Sequence, residues 1–186
     1  MDACLVLECA RANGDIVSAR KGILDTRLDA VEAELRRLEA MGDERLTIIE
    51  GDILDGDGPL LHAMTGVDVV FHMAARADVR FSAESPAAVF SQNVQGTFNV
   101  VEAARRNKVR SIVFASTGSI YGEPQVFPTP EDAPFPTQTS LYGASKLAGE
   151  GLIQAFTEGF GMQGFIFRFV SNVGERYTHG HIFDFY

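Results

Sequence analysis

Short apolar runs alternate along this chain with stretches of helical period, and that alternation restricts the fold more than any other feature. Leu46–Ile49, Val67–Phe71, Ser111–Ala115 and Gly164–Phe169 read as strands. Ahead of the first of these, Leu24, Leu28, Val31, Leu35, Leu38 and Met41 recur at helical spacing with charges between them. Ser85-Pro86 has the form of an N-cap followed by a first-turn proline, and the helix it opens presents Phe90, Val94, Phe98 and Val101. Thr139 or Ser140 caps another helix, with Ala144, Ala148, Leu152, Ala155 and Phe156 on one side. Strands apolar almost throughout are buried on both faces, and intervening helices supply the cover. The expected fold is therefore α/β, with a parallel, doubly wound sheet.

The chain has 186 residues, enough for one domain with a substantial core. Its net charge of -9 argues against nucleic acid or an anionic membrane as a partner, since both require a basic surface. A local arginine or a helix N-terminus can still hold a phosphate. Cys4 and Cys9 are too few and too close for a disulfide framework, no apolar run approaches a membrane span, and the N-terminus lacks a signal pattern. These features predict a soluble, cytoplasmic protein. Pro124, Pro128, Pro130, Pro134 and Pro136 mark a long surface loop of the kind that covers sites.

Chemistry concentrates near that loop. Tyr142 and Lys146 stand four apart in Tyr-Gly-Ala-Ser-Lys, which puts them on one helix face. There an ammonium would stabilise the phenolate and lower a phenol pKa that is ordinarily about 10. A hydroxyl from a strand end, Ser116 or Thr117, would complete a proton-transfer pair around a substrate alcohol. That arrangement suits a nicotinamide enzyme acting on a sugar hydroxyl.

Six motifs in order extend the pattern: Gly51-Asp52-Ile53, His72-Met-Ala-Ala75, Asn93 to Asn99, Phe114 to Gly122, Tyr142 to Lys146, and Arg168 to Arg176. Together they resemble the extended short-chain dehydrogenase/reductase family, in its NAD-dependent nucleotide-sugar epimerase/dehydratase branch, from about Gly51 onward. The resemblance implies a Rossmann-like sheet with NAD as cofactor. It implies that Asp52 and Ile53 touch the adenine, that Ala74 and Ala75 let backbone approach ribose and phosphates, and that Asn93 and Ser116 lie near the cofactor. A solvated turn aspartate, tight packing and a buried asparagine bonded to backbone are the plain alternatives. Thr117 takes the position of the family's hydrogen-bonding hydroxyl, Tyr142 that of the general acid and base, and Lys146 that of the nicotinamide-ribose ligand. His72 reads as a satisfied core histidine.

Sugar 4,6-dehydratases of the family usually carry an Asp-Glu pair after the threonine, where this chain has Gly118 and Ser119. The resemblance is therefore greatest to UDP-glucose 4-epimerases, which need reversible hydride transfer at C4 but no elimination. Another reductase or dehydratase of the family, or a non-catalytic member, is the alternative. Ser171 and Asn172 fall where the family places a substrate-contacting asparagine. His179 and His181 could reach a diphosphate, and a metal site is not expected because no third ligand is evident. Family members are often homodimers, for which the helices at 86–107 and 140–160 are candidates.

A dinucleotide-binding sheet should open with a strand and a glycine-rich turn, and no such turn occurs here. Leu5 to Val17 reads as the tail of a first helix running into a strand at Asp15–Ala19, with Gly22–Asp25 as a rival strand. The expectation is a partial NAD-binding domain over residues 1–186, truncated at both ends, with a gap at mid-sheet and a substrate-binding region starting from about 171. Such a chain alone should bind NAD weakly.

Overall fold

The computed structural model describes residues 7–10, 16–20, 36–37, 40–42, 46–77, 79–135, 137–170 and 172. Six strands form one sheet: β1 (Leu7–Ala10), β2 (Ile16–Arg20), β3 (Leu46–Glu50), β4 (Val69–His72), β5 (Ser111–Thr117) and β6 (Gln163–Phe169), in the order β3-β2-β1-β4-β5-β6. The helices are α1 (Pro59–Ala63), α2 (Val79–Glu84), α3 (Pro86–Val89), α4 (Gly96–Arg106) and α5 (Leu141–Phe160), with a π-helical turn at Phe90–Gln95 joining α3 to α4. The expected α/β, Rossmann-like sheet is present. β2 pairs parallel with β3, and β4, β5 and β6 pair parallel with one another.

The centre of the sheet differs from expectation. In place of a gap there is β1, which runs antiparallel to both neighbours, with Leu7 opposite Ala19 and His72. The stretch read as a helix tail is thus a strand at Leu7–Ala10, and the following strand is Ile16–Arg20. The rival at Gly22–Asp25 and most of the Leu24–Met41 helix lie outside the described residues. Pairing on both sides satisfies the backbone groups that a gap would leave open.

The core lies between β4, β5 and the helices on one face. Val70, Ile112, Phe114, Val100, Val101, Ala104, Met64 and Ile153 are almost fully buried there. Two helix faces differ from their sequence reading. Phe90 and Phe98 are 59% and 41% exposed, whereas Val89, Asn93, Thr97, Val100 and Val101 point inward. The π turn inserts an extra residue per turn and shifts the phase of the apolar stripe. In α5 the buried positions are Gly143, Ser145, Lys146, Gly149, Glu150 and Ile153, while Ala148 and Ala155 are exposed. A Cβ on Gly149 would lie 2.7 Å from the Phe114 ring, so its absence brings α5 directly onto β5. Ser140 caps α5 by accepting from Gly143 N at 2.9 Å. Ser85 stands at the N-cap of α3 but makes no side-chain capping bond. Among the described residues no helix is long and apolar enough to cross a membrane.

Candidate active site

β2, β3, β4 and β5 all point the same way, so the segments that follow β3, β4 and β5 emerge at one edge of the sheet. Ligands of doubly wound sheets bind outside that carboxyl edge. Thr117 ends β5, and its Oγ1 accepts from Ser119 N at 3.1 Å, which bends the chain into a 3-10 turn at Gly118–Tyr121. An open cleft beside this turn is lined by Thr117, Gly118, Ser119, Phe169 and Val170.

Tyr142, in the first turn of α5, lies close enough to the Thr117 side chain for that hydroxyl to favour its phenolate. The strand-end hydroxyl and the phenol are therefore neighbours although 25 residues apart. Burial pushes the Tyr142 phenol above its ordinary range, and the Thr117 hydroxyl partly offsets this. One turn on, Lys146 is 2% exposed, with Nζ 4.1 Å from the centre of the Phe114 ring. Burial lowers its ammonium to about 7, and Glu150 opposes that fall. The sequence reading, in which Lys146 holds the phenol acidic, is not what the electrostatics give. The buried ammonium is itself close to losing its proton, and the help Tyr142 receives comes from Thr117.

Asn93 lies in the π turn and is 2% exposed. Its Oδ1 accepts from Arg76 N at 2.7 Å, and its Nδ2 donates to Arg76 O at 3.1 Å and to Ser145 Oγ at 2.8 Å. Ser145 in turn donates to Tyr142 O at 2.8 Å. Asn93 thereby joins the loop carrying Ala74 and Ala75 to the helix carrying Tyr142, and its polar atoms go to protein partners. Ala74 is 1% exposed at the end of β4. His72 Nε2 pairs with Thr97 Oγ1 at 2.9 Å, while Nδ1 finds no partner among the described residues. Burial, with a contribution from Lys146, drops the His72 imidazole to about 3, so it is neutral at physiological pH.

Asp52 and Ile53 follow β3 at the same sheet edge. Asp52 Oδ1 accepts from Leu54 N at 3.0 Å, closing a local turn. Ile53 is 3% exposed, and its Cδ1 would lie 2.4 Å from a Cβ on Gly96. Asn99 Nδ2 donates to Ile53 O at 2.8 Å and to Leu54 O at 3.2 Å, which fixes the turn to α4. Ser116, though next to Thr117, faces away from it and donates to Glu150 Oε1. Asn172 is exposed; Ser171, His179 and His181 lie outside the described residues. Among the described residues no cluster of three His, Cys, Asp or Glu side chains could hold a metal ion.

The fit to NAD is uneven. The Thr117–Tyr142–Lys146 group and the Ala74–Ala75 loop suit a nicotinamide and its ribose, and the Asp52–Ile53 turn suits an adenine at the far end of the same edge. Between them stands β1, whose last residue, Ala10, pairs with the first residues of β2 and β4. β1 therefore ends at the opposite edge. Among the described residues no glycine-rich turn meets the position where a pyrophosphate would lie.

Sequence reasoning missed Asn99, Ser145 and Glu150 as parts of the site, and it took Arg168 only as the start of a motif. Glu150 had a readable signal, because it continues the four-residue spacing from Tyr142 through Lys146. The partner that Arg168 provides from β6 had none.

A model of the NAD dependent epimerase/dehydratase family matches residues 22–184. The UDP-glucose 4-epimerase of Mycolicibacterium smegmatis is 39% identical over 112 residues, 60% of this chain and 36% of that protein. Among solved structures, the UDP-glucuronic acid 4-epimerase of Bacillus cereus with UDP-glucuronic acid and NAD is similar at a TM-score of 0.72 and 29% identity, over 82% of this chain and 47% of that one. A dTDP-glucose 4,6-dehydratase of Streptomyces venezuelae with NAD bound is similar at a TM-score of 0.68 and 31% identity, over 74% and 41% of the two chains. The chain thus spans less than half the length of each of these relatives.

Proposed function

The chain belongs to the NAD dependent epimerase/dehydratase family, and on that premise we propose that it carries the proton-transfer half of a nucleotide-sugar 4-epimerase acting on a UDP-hexose. The observation that carries this reading is the gathering of the strand-end hydroxyl of Thr117 and the phenol of Tyr142, with the buried Lys146 one turn on along the same helix. When bound, NAD supplies the hydride acceptor and donor for C4 of the sugar. Tyr142 takes the proton of the 4-hydroxyl and later returns it, and Thr117 holds that hydroxyl in line and stabilises the phenolate. Lys146, one turn on, contributes a donor for the nicotinamide ribose. Hydride removal and return on opposite faces of a transient 4-keto sugar invert the centre. Orientation and charge placement are what the protein adds.

Epimerisation is favoured over dehydration because the cleft beside Thr117 is lined by Gly118, Ser119, Phe169 and Val170. Elimination of water needs a proton donor and acceptor next to the sugar, and among the described residues this lining offers no carboxylate. A homodimer is the expected assembly of the whole protein. In the whole protein with NAD and UDP-hexoses, Tyr142→Phe should lower C4 inversion by about 10²–10⁴-fold with the fold retained, measured by mass or isotope detection of the epimer. Turnover equal to wild type would remove Tyr142 from the mechanism.

A further inference from the structure

Glu150 lies one turn beyond Lys146 and is 1% exposed. A carboxylate this deep is costly unless its charge is matched and its lone pairs are used. Arg168 supplies both, with Nε 3.1 Å from Oε1 and Nη2 2.9 Å from Oε2, and the Ser116 hydroxyl adds a further bond. The other end of Arg168 turns toward the loop after β5. Its Nη1 donates to Tyr121 Oη at 2.6 Å and to Glu131 O at 2.7 Å, and the Tyr121 and Phe135 rings lie 5.2 and 5.1 Å from the guanidinium. Strand β5, strand β6, helix α5 and the proline-rich loop therefore meet at one ion pair, whose carboxylate is buried one helical turn from Lys146.

We propose that Glu150 and Arg168 act as positioning residues for Lys146: the carboxylate keeps the buried ammonium charged, and the guanidinium limits how strongly Lys146 feels that carboxylate. The proposal rests on the functional reading above for its catalytic consequence, and for the coupling itself on the burial of Lys146 and Glu150 one turn apart on one helix, on the Glu150–Arg168 pair and on the opposing pull of Glu150 on the ammonium. Among the described residues, the groups around Lys146 are Tyr142 and Glu150 on its own helix, His72 from β4 and the Phe114 ring from β5, with Arg168 from β6 paired to Glu150. His72 is held neutral and Tyr142 is held protonated by burial, so Glu150 is the anion of this set. With Lys146 near 7, a small change in the charge around it decides whether it carries a proton at neutral pH.

The two members of the pair then have effects of opposite sign. Glu150→Gln removes the anion and leaves Arg168 uncompensated, and both changes lower the Lys146 midpoint. Arg168→Gln frees the carboxylate to act on Lys146 alone and raises it. A pair that only pinned elements together would behave otherwise, since loosening α5 admits water to Lys146 and raises the midpoint in both variants.

The chain contains three lysines, Lys21, Lys108 and Lys146, so the titration of ¹³C,¹⁵N-lysine can be followed by NMR and assigned with one Lys146→Arg control. The measurement uses the chain without cofactor or substrate, so a failed epimerase assay leaves it untouched. The expected result is a fall in the Lys146 midpoint of about one pH unit, or tenfold in acidity, in Glu150→Gln and a rise of similar size in Arg168→Gln. A midpoint that rises or stays put in Glu150→Gln overturns the proposal. If that variant does not fold, Arg168→Gln decides, and an unchanged or lowered midpoint there overturns it as well. Loss of the fold in both variants would also overturn it, by making the pair a structural pin and no more.

Discussion

The two ends of the candidate site are built by different means. At the end proposed for the nicotinamide, Thr117, Tyr142 and Lys146 stand on a strand and a helix, with Asn93, Ser145, Glu150 and Arg168 tying that helix to the elements around it. At the end proposed for the adenine, Asp52 closes a local turn, and Asn99 ties that turn to α4. A buried polar network makes every member costly to remove, because each loss strands a partner away from water. A turn closed largely by its own chain can open without disturbing the sheet. The difference implies that geometry around Tyr142 is set by cooperation and around Asp52 by local chain chemistry.

That contrast can be broken at three places. Asn93→Ala has the largest expected effect on stability, since it leaves Arg76 N and O without their buried partner; a loss of about 2–4 kcal/mol is expected in denaturant unfolding. A loss below about 1 kcal/mol would show that water replaces the side chain and that this end is less tightly built than described. His72 tests the same region by pH. Its imidazole falls to about 3 when folded from an ordinary 6.5, so between those values the unfolded chain binds the extra proton. Stability from this residue is complete above pH 6.5 and is lost as pH falls toward 3, with a slope of at most about 1.4 kcal/mol per pH unit. His72→Gln should remove that slope in urea titrations between pH 6.5 and 4, and an unchanged slope would assign acid sensitivity to other groups. Asn99→Ala should have the smallest effect, about 1 kcal/mol, with faster amide exchange confined to residues 52–56. Exchange rising equally around Tyr142 would contradict the separation of the two ends.

Much of the architecture could be read from the chain. β3 to β6 were placed within two residues or so because each is a continuous apolar run, which is a local signal. The faces of the helices could not be read in the same way. The alanine row of α5 looked like its buried side, yet the side that is buried carries Gly143, Ser145, Lys146, Gly149 and Glu150. Burial there follows from a glycine contact with Phe114 and from pairing by distant polar groups, neither of which appears in a hydrophobic pattern. Phe90 and Phe98 misled for a different reason, since their spacing assumed an uninterrupted α-helix where a π turn intervenes. The outward side of β6, with Phe165, Phe167 and Phe169 each at least 40% exposed, also runs against a purely hydrophobic reading.

The spacing of Tyr142 and Lys146, the threonine that ends a strand, and the identity of Gly118 and Ser119 are properties of short segments, and the chain carries them wherever those segments form. The charge each group bears is another matter. The raised phenol of Tyr142, the weakened ammonium of Lys146 and the neutral imidazole of His72 arise from burial and from neighbours brought in by other strands. The direction of Leu7–Ala10 is equally non-local, because its pairing with β2 and β4 was chosen by partners that its own residues do not encode. Electrostatic free energy depends on what surrounds a charge in space, and only the folded chain supplies those surroundings.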